Sequence, residues 1–316
     1  MTDSTDIGRF LKTIKDFIRW GASRMNAAHV VFGHGTDNAI DEAAALVLHA
    51  LHLPPDLPDT YLDCQLTNVE KQAVLGILER RVRERCPAPY LMHQAWFMGL
   101  SFYVDERVLI PRSPLAEVIE RRFAPWIRDP EAVAAILDLG TGSGCIGIGC
   151  AYAFPDARVD LSDVSSEALA VARRNVAEHG LEEQVELIPA NLFQGLEGRR
   201  YDLIVSNPPY VGSVELAGLP AEYRHEPVQA LAAGEDGLDL VVPMLIQAPE
   251  HLKPGGILVV EVGSAEEALL AAFPTVDFLW LDFEHGGEGV FLLTREELLT
   301  TRETLQAYSG PVSRRH

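Results

Sequence analysis

The 316-residue chain is short of positive charge: 26 Lys and Arg stand against 46 Asp and Glu, a formal net charge of −20 at neutral pH. Nucleic-acid readers carry basic surface for phosphate contacts, so this balance points away from a DNA or RNA substrate and toward a basic protein client. The deficit is uneven. Residues 1–110 hold 11 basic against 14 acidic side chains, net −3, and residues 111–316 hold 15 against 32, net −17. Cysteine is scarce too. Cys64, Cys86, Cys145 and Cys150 form no C-x-x-C pair and read as reduced core thiols. Histidines are scattered; His49 and His52 can share a helix face, but no third ligand lies near in sequence, and no metal is expected. No apolar run approaches the roughly 20 residues of a membrane span. The start, Met1 to Asp6, lacks the basic and apolar regions of a signal peptide. The expectation is a soluble, cytoplasmic protein without membrane contact. Its 47% hydrophobic residues suffice for sizeable cores, and its length suits about two domains.

Three local patterns carry chemistry. Asn207-Pro208-Pro209-Tyr210 follows the apolar run Leu203-Ile204-Val205. Such a strand end suits a planar, conjugated NH2 as nucleophile, because that nitrogen reacts only when acceptors hold its N–H groups and favour pyramidalisation. The Asn207 side-chain oxygen and the Pro208 carbonyl are such acceptors, and Tyr210 can stack on the flat group. Taken alone, the tetrapeptide also suits a plain strand-ending turn. About seventy residues upstream, Ile136 to Leu139 runs into Gly140-Thr141-Gly142-Ser143-Gly144 and then Cys145-Ile146-Gly147-Ile148. This reads as strand, glycine loop and helix, with backbone N–H groups offered to a ligand. The G-x-G-x-G spacing is not the dinucleotide fingerprint. Asp163 ends the next strand-like run, where an acid can accept both hydroxyls of a ribose.

Together these residues resemble a class I S-adenosylmethionine-dependent methyltransferase, with Asn-Pro-Pro-Tyr placing it among enzymes that methylate amino nitrogens. The flanks Phe97 to Phe102, Val108 to Arg112, Tyr223 to Pro227 and Gly234 to Leu238 resemble the protein-glutamine N5-methyltransferases over nearly the whole chain. Release-factor enzymes of that family usually continue Pro-Arg as Pro-Glu-Thr-Glu. This chain reads Pro111-Arg112-Ser113-Pro114-Leu115-Ala116-Glu117 and resembles the branch acting on a glutamine of the third large-subunit ribosomal protein. Two rivals stay open: an amino-methylating nucleic-acid enzyme, and a non-catalytic S-adenosylmethionine-binding assembly factor.

The resemblance implies a Rossmann-like, mostly parallel seven-stranded α/β sheet with a terminal antiparallel hairpin and a small N-terminal helical domain. It implies S-adenosylmethionine as cofactor, with Asp138, Gly140, Thr141, Gly142 and Gly144 at the methionine moiety and Asp163 at the ribose. Asn191 and Leu192 stand at the adenine, although the family usually has an acid in the segment Pro189 to Phe193. Asn207, Pro208 and Tyr210 are the catalytic candidates, with Asn207 also bordering the cofactor. Phe97, Phe102, Pro209 and Glu226 join them around the acceptor. Aromatic hairpin residues such as Phe97 and Phe102 are more often plain interdomain packing, and Glu226 also reads as an acid that only fixes a loop. The implied partner is a basic ribosomal protein, with contact to the assembling large subunit open.

For organisation, residues 1–87 read as a helical substrate-recognition domain, 88–114 as a hairpin linker, 115–298 as the methyltransferase domain and 299–316 as a polar tail. Ile7, Phe10, Leu11, Ile14, Phe17 and Ile18 keep a helical period. A second helix covers 38–52, and Thr67 with Glu70 forms a capping-box pattern for a third. Arg80 to Arg85 reads as a solvated helix end. Strands are expected near 134–139, 158–162, 185–189, 202–206 and 257–262, with a hairpin over 278–293.

Overall fold

Among the described residues, Thr13 starts the first helix. Its hydroxyl accepts from the Asp16 N–H while the Asp16 carboxylate accepts from the Thr13 N–H, a capping box that fixes the N-terminus of α1 (Ile14–Ala27). Phe10 is consequently left exposed, and Ile7 lies outside residues 10–308, which the computed structural model describes. The chain divides into two units, one ending at Ala95 and taking in Pro220–His225, the other comprising Trp96–Leu219 and continuing from Glu226.

In the first unit α1 packs with α2 (Ala39–Ala50), capped by Asn38, and α3 (Asn68–Arg83), capped by the expected Thr67–Glu70 box. Phe17, Met25, Leu46, Val47, Val74 and Leu78 are buried among them. A short α4 (Ala88–Met92) follows. The arginine-rich end of α3 departs from the solvated reading. Arg80 and Arg83 are exposed, but Arg81 is 1% exposed, its Nε 2.6 Å from Glu42 Oε1 and its second guanidinium nitrogen 2.8 Å from the Val31 carbonyl. Glu222, from the returning Pro220–His225 segment, lies 3.5 Å from Arg81, accepts from Arg85 at 3.2 Å and from the Val31 N–H at 3.1 Å. A buried guanidinium needs such partners, because an unpaired buried charge costs several kcal/mol.

The boundary falls within β1 (Ala95–Phe97), which pairs with β2 (Leu100–Phe102) in a two-stranded sheet turned by Met98 and Gly99, both at positive φ as a type I′ turn requires. Helix α5 (Leu115–Glu120) leads into alternating elements: β3 (Ala135–Leu139), α6 (Cys145–Ala153), β4 (Arg158–Asp163), α7 (Ser166–Glu178), β5 (Val185–Pro189), β6 (Tyr201–Ser206), α8 (Ser213–Gly218), α9 (Val241–His251) and β7 (Leu252–Glu261). Then come α10 (Glu266–Ala272), β8 (Leu279–Trp280) and β9 (Val290–Thr294). The sheet order is β5-β4-β3-β6-β7-β9-β8, parallel through β7, with β9 antiparallel to β7 and β8 antiparallel to β9. The expected seven-stranded sheet and its antiparallel end are therefore present. Continuous apolar strands such as Leu203, Ile204 and Val205 are buried, as a sheet covered on both faces demands.

At the end of the expected methyltransferase domain, α11 (Arg295–Thr300), capped by Thr294 and Glu297, runs on to residue 300, and the stretch expected as a polar tail from residue 299 carries α12 (Arg302–Gln306). Leu298 and Leu305 sit in the core, and the Tyr308 hydroxyl donates to Asp236 at 2.9 Å. Widely spaced leucines in a polar context hide such packing from a periodicity count. Residues 309–316 of that tail lie outside the described residues.

Candidate functional site

Strand order reverses between β3 and β6, and a crevice belongs outside the carboxyl ends of strands at such a point. A cavity of about 1080 Å³, open to solvent, lies there within the second unit. One wall is the glycine loop. Gly140 and Thr141 both donate to the Ser162 carbonyl at 2.9 Å, and Gly140, Gly142 and Gly144 adopt φ of +77°, +55° and +86°. A Cβ at Gly140 or Gly142 would meet nothing within 4 Å, so the backbone there faces open space that a ligand can approach closely. Gly144 caps α6, whose Cys145 and Cys150 are buried as expected, as is Cys86; Cys64 is exposed. Burial pushes the Cys145 thiol up to about 12, which leaves it protonated and unreactive.

Asp163 ends β4 and faces the cavity, its two oxygens accepting from the Gly142 N–H at 2.9 Å and the Ser165 N–H at 2.8 Å. Burial raises its carboxyl above the ordinary value, opposed by these donors. Asn191 and Leu192 also line the cavity, and Leu192 stands at φ +50°. A left-handed leucine is uncommon and costs on the order of 1 kcal/mol, a strain that clusters at ligand sites.

Asp138 does not line this cavity. It is fully buried behind the loop, one oxygen accepting from the Thr141 hydroxyl at 2.6 Å and the Gly147 N–H at 2.8 Å, while Oδ1 has no partner among the described residues. A Cβ at Gly147 would lie 2.0 Å from Leu161 and 3.0 Å from Asp138, so only glycine lets α6 start this close. Asp138 thus shapes the loop; it does not touch the ligand space. Burial pushes its carboxyl up to about 7. Because the folded state holds that proton more tightly than the unfolded chain, Asp138 stabilises the fold fully below the ordinary carboxylate range and loses this contribution as pH rises through about 7. Asp138→Asn keeps the acceptor oxygen and removes the titration. Denaturant melts between pH 5 and 8 should therefore show wild type losing on the order of 2 kcal/mol more stability than the variant; parallel pH profiles would show that Asp138 does not titrate in this range.

The opposite wall comes from the end of β6. The Ser206 hydroxyl donates to the Leu139 carbonyl at 2.6 Å, tying the two strand ends, and Asn207, Pro208 and Pro209 line the cavity. Tyr210 does not. Its ring packs against the buried apolar cluster that includes Leu238, Val262 and Ala265 and against Gly263, and its hydroxyl donates to Glu261 at 3.2 Å, so it is not placed to stack on a group in the cavity. Glu261, at the end of β7, also accepts from the Ser113 hydroxyl at 2.5 Å, and burial raises its carboxyl above the ordinary value. Neither Phe97 nor Phe102 reaches the cavity; both are core residues of the second unit, with ring centroids 6.5 Å apart. Glu226 is the loop-fixing acid: 2% exposed, it takes a bidentate pair from Arg112 at 2.6 and 2.8 Å and the Ile110 N–H at 3.0 Å. Through this pair it holds Arg112, which does line the cavity, as does the adjacent Pro227.

Sequence reasoning overlooked Glu261 and Ser113. The available signal was a single acid closing the wholly apolar run Ile257 to Val260. Among the described residues, no cluster of three or more His, Cys, Asp or Glu could hold a metal ion. No helix among them is long and apolar enough to cross a membrane.

A family model for the methyltransferase small domain matches residues 126–218. Proteins named ribosomal protein uL3 glutamine methyltransferase align along most of the chain. The one from Bordetella pertussis is 52% identical over 92% of this chain and 97% of its own. That from Francisella tularensis is 45% identical over 96% of both chains, and that from Neisseria gonorrhoeae 51% over 92% of this chain and 96% of its own.

Proposed function

The chain belongs to the family of ribosomal protein uL3 glutamine methyltransferases, and on that premise we propose that it transfers a methyl group from S-adenosylmethionine to the side-chain nitrogen of a glutamine in that ribosomal protein. The observation that carries this reading is the convergence of the glycine loop, Asp163 and Asn207-Pro208 on one cavity, which brings a nucleoside site and an amide site into contact. The residues fit the cofactor. Gly140 and Gly142 leave room for the methionine moiety, Asp163 would accept the ribose hydroxyls, Leu192 would cover an adenine face and the Asn191 amide would meet its edge. When bound, S-adenosylmethionine supplies an electrophilic methyl group.

The chain's own task is to make an amide nitrogen nucleophilic. Its lone pair is delocalised into the neighbouring carbonyl. The Asn207 side-chain oxygen and the Pro208 carbonyl accept its two N–H bonds and hold it in line, so that catalysis is mostly positioning. A strong base is not needed early, because the nitrogen becomes acidic only as the new bond forms. The acidic surplus of residues 111–316 suits a basic ribosomal client, and for such a client we propose a cytoplasmic reaction. We assign client recognition to the helical N-terminal unit.

The test is transfer of radiolabelled methyl from S-adenosylmethionine into ribosomal components from cells lacking this protein, with protein and RNA separated and the labelled residue mapped by mass. Label on one glutamine of ribosomal protein uL3 is the expected result. Label on a release factor would move the substrate to the sister branch, label in RNA would move it to nucleic acid, and bound cofactor without transfer would leave an assembly factor.

A further inference from the structure

Two cationic side chains line the cavity, Arg107 and Arg112, against a single acid, Asp163. Arg112 is committed to its clamp: both terminal nitrogens meet the Glu226 carboxylate, and Nη1 also donates to the Ile110 carbonyl at 3.3 Å. Arg107 is held from one side. Its Nε donates to Asp105 Oδ1 at 2.8 Å and its Nη2 to Asp105 Oδ2 at 2.6 Å, whereas Nη1 makes no hydrogen bond among the described residues. Asp105 is 8% exposed and also accepts from the Tyr103 hydroxyl at 2.9 Å and the Arg107 N–H at 3.1 Å, so a fixed carboxylate aims the guanidinium.

Asn175 sets which end of the cavity Arg107 serves. This side chain of α7, fully buried, accepts from the Tyr103 N–H at 2.8 Å and donates to the Tyr103 carbonyl at 3.0 Å and to the Ser143 carbonyl at 2.8 Å. One amide thus ties the backbone leading into Arg107 to the glycine loop. Arg112 is tied instead, through Glu226, to the acceptor wall at Pro227. The methionine moiety of S-adenosylmethionine carries a carboxylate, and a carboxylate taken out of water needs charged or hydrogen-bonding partners. The planar fork of a guanidinium matches it. We propose that Arg107, aimed by Asp105, recognises the α-carboxylate of the cofactor's methionine moiety and makes the site favour a nucleoside that bears an amino acid over one that does not. The inference rests on the S-adenosylmethionine reading and adds its carboxylate subsite.

Calorimetric titration of the full chain tests this without any turnover, using S-adenosylhomocysteine and its decarboxylated counterpart as probes. Wild type should bind S-adenosylhomocysteine about tenfold or more tightly than the decarboxylated ligand, the difference a charge-assisted pair supplies. Arg107→Met keeps the apolar stem and leaves Asp105 with the Tyr103 hydroxyl and the backbone N–H of residue 107. It should weaken S-adenosylhomocysteine by that factor and hold the decarboxylated ligand within about twofold, so that the preference disappears. Arg107→Gln serves in the same comparison if the methionine variant does not fold. Equal weakening of both ligands would make Arg107 a structural residue and overturn the proposal. A variant that still prefers the carboxylate would overturn it as well, since another group would then be reading that charge. Wild type that binds both ligands equally would overturn the carboxylate subsite alone, whereas wild type that binds neither would remove the cofactor reading along with it.

Discussion

Asn207→Ala should lower methyl transfer by on the order of 10²-fold or more, with cofactor affinity retained within several-fold, because it removes a positioned polar group that acts on the reacting nitrogen. The side chain is half-buried at the end of β6 on the cavity wall. Its truncation leaves the strand, the proline pair and the Ser206 to Leu139 tie in place. It also leaves Glu261 with the Ser113 and Tyr210 hydroxyls, so the buried carboxylate is not orphaned. The loss should thus fall on kcat. Single-turnover rates with cofactor saturated, beside calorimetric titration, make the measurement; near-normal turnover would remove Asn207 from the chemistry.

Asp163→Ala should act on the other side of the transfer, weakening cofactor binding by on the order of 10²-fold. A charged acceptor is worth about 1.5 to 3 kcal/mol for each hydrogen bond it makes, so two ribose hydroxyls account for such a factor. Part of any loss could come through the loop, since the same carboxylate receives the Gly142 N–H at 2.9 Å. An analogue lacking a ribose hydroxyl separates the two effects. Wild type should bind the analogue more weakly than the parent cofactor, and Asp163→Ala should bind both alike. If the variant still discriminates, the ribose contact lies elsewhere.

The catalytic scaffold was legible because its signals are local. Apolar runs gave β4 and β5 to within a residue, and Ser165, Thr67 and Asn38 cap the helices that follow them. The glycine loop and Asn207-Pro208 were visible because each is a short run of distinctive residue types at a strand end, and both line the cavity. Side-chain direction was not. Phe97, Phe102 and Tyr210 are aromatic residues near the right segments, yet their rings turn into packing, and periodicity over a few residues does not reveal which face a short strand or loop presents. Long-range pairs were hidden for a different reason. Glu226 meets Arg112 across 114 residues and Ser113 meets Glu261 across 148, and nothing local distinguishes a buried acid from a solvated one. Arg81 was misread on the same ground: beside four exposed-looking charges, its partners Glu42 and Glu222 were not evident.

The returning segment Pro220–His225 has a consequence for anyone who would dissect the protein. A fragment beginning at Trp96 would contain Glu222 but none of the groups it meets in the first unit: Arg81, Arg85 and the Val31 N–H. Its C-terminal end leads directly into Glu226 and Pro227, and so to the clamp on Arg112, while α8 separates its other end from Asn207-Pro208-Pro209. A clone cut at the linear boundary would be a catalytic domain with a piece of its neighbour still sewn into it. Domain swaps between relatives must therefore exchange two segments of sequence, not one.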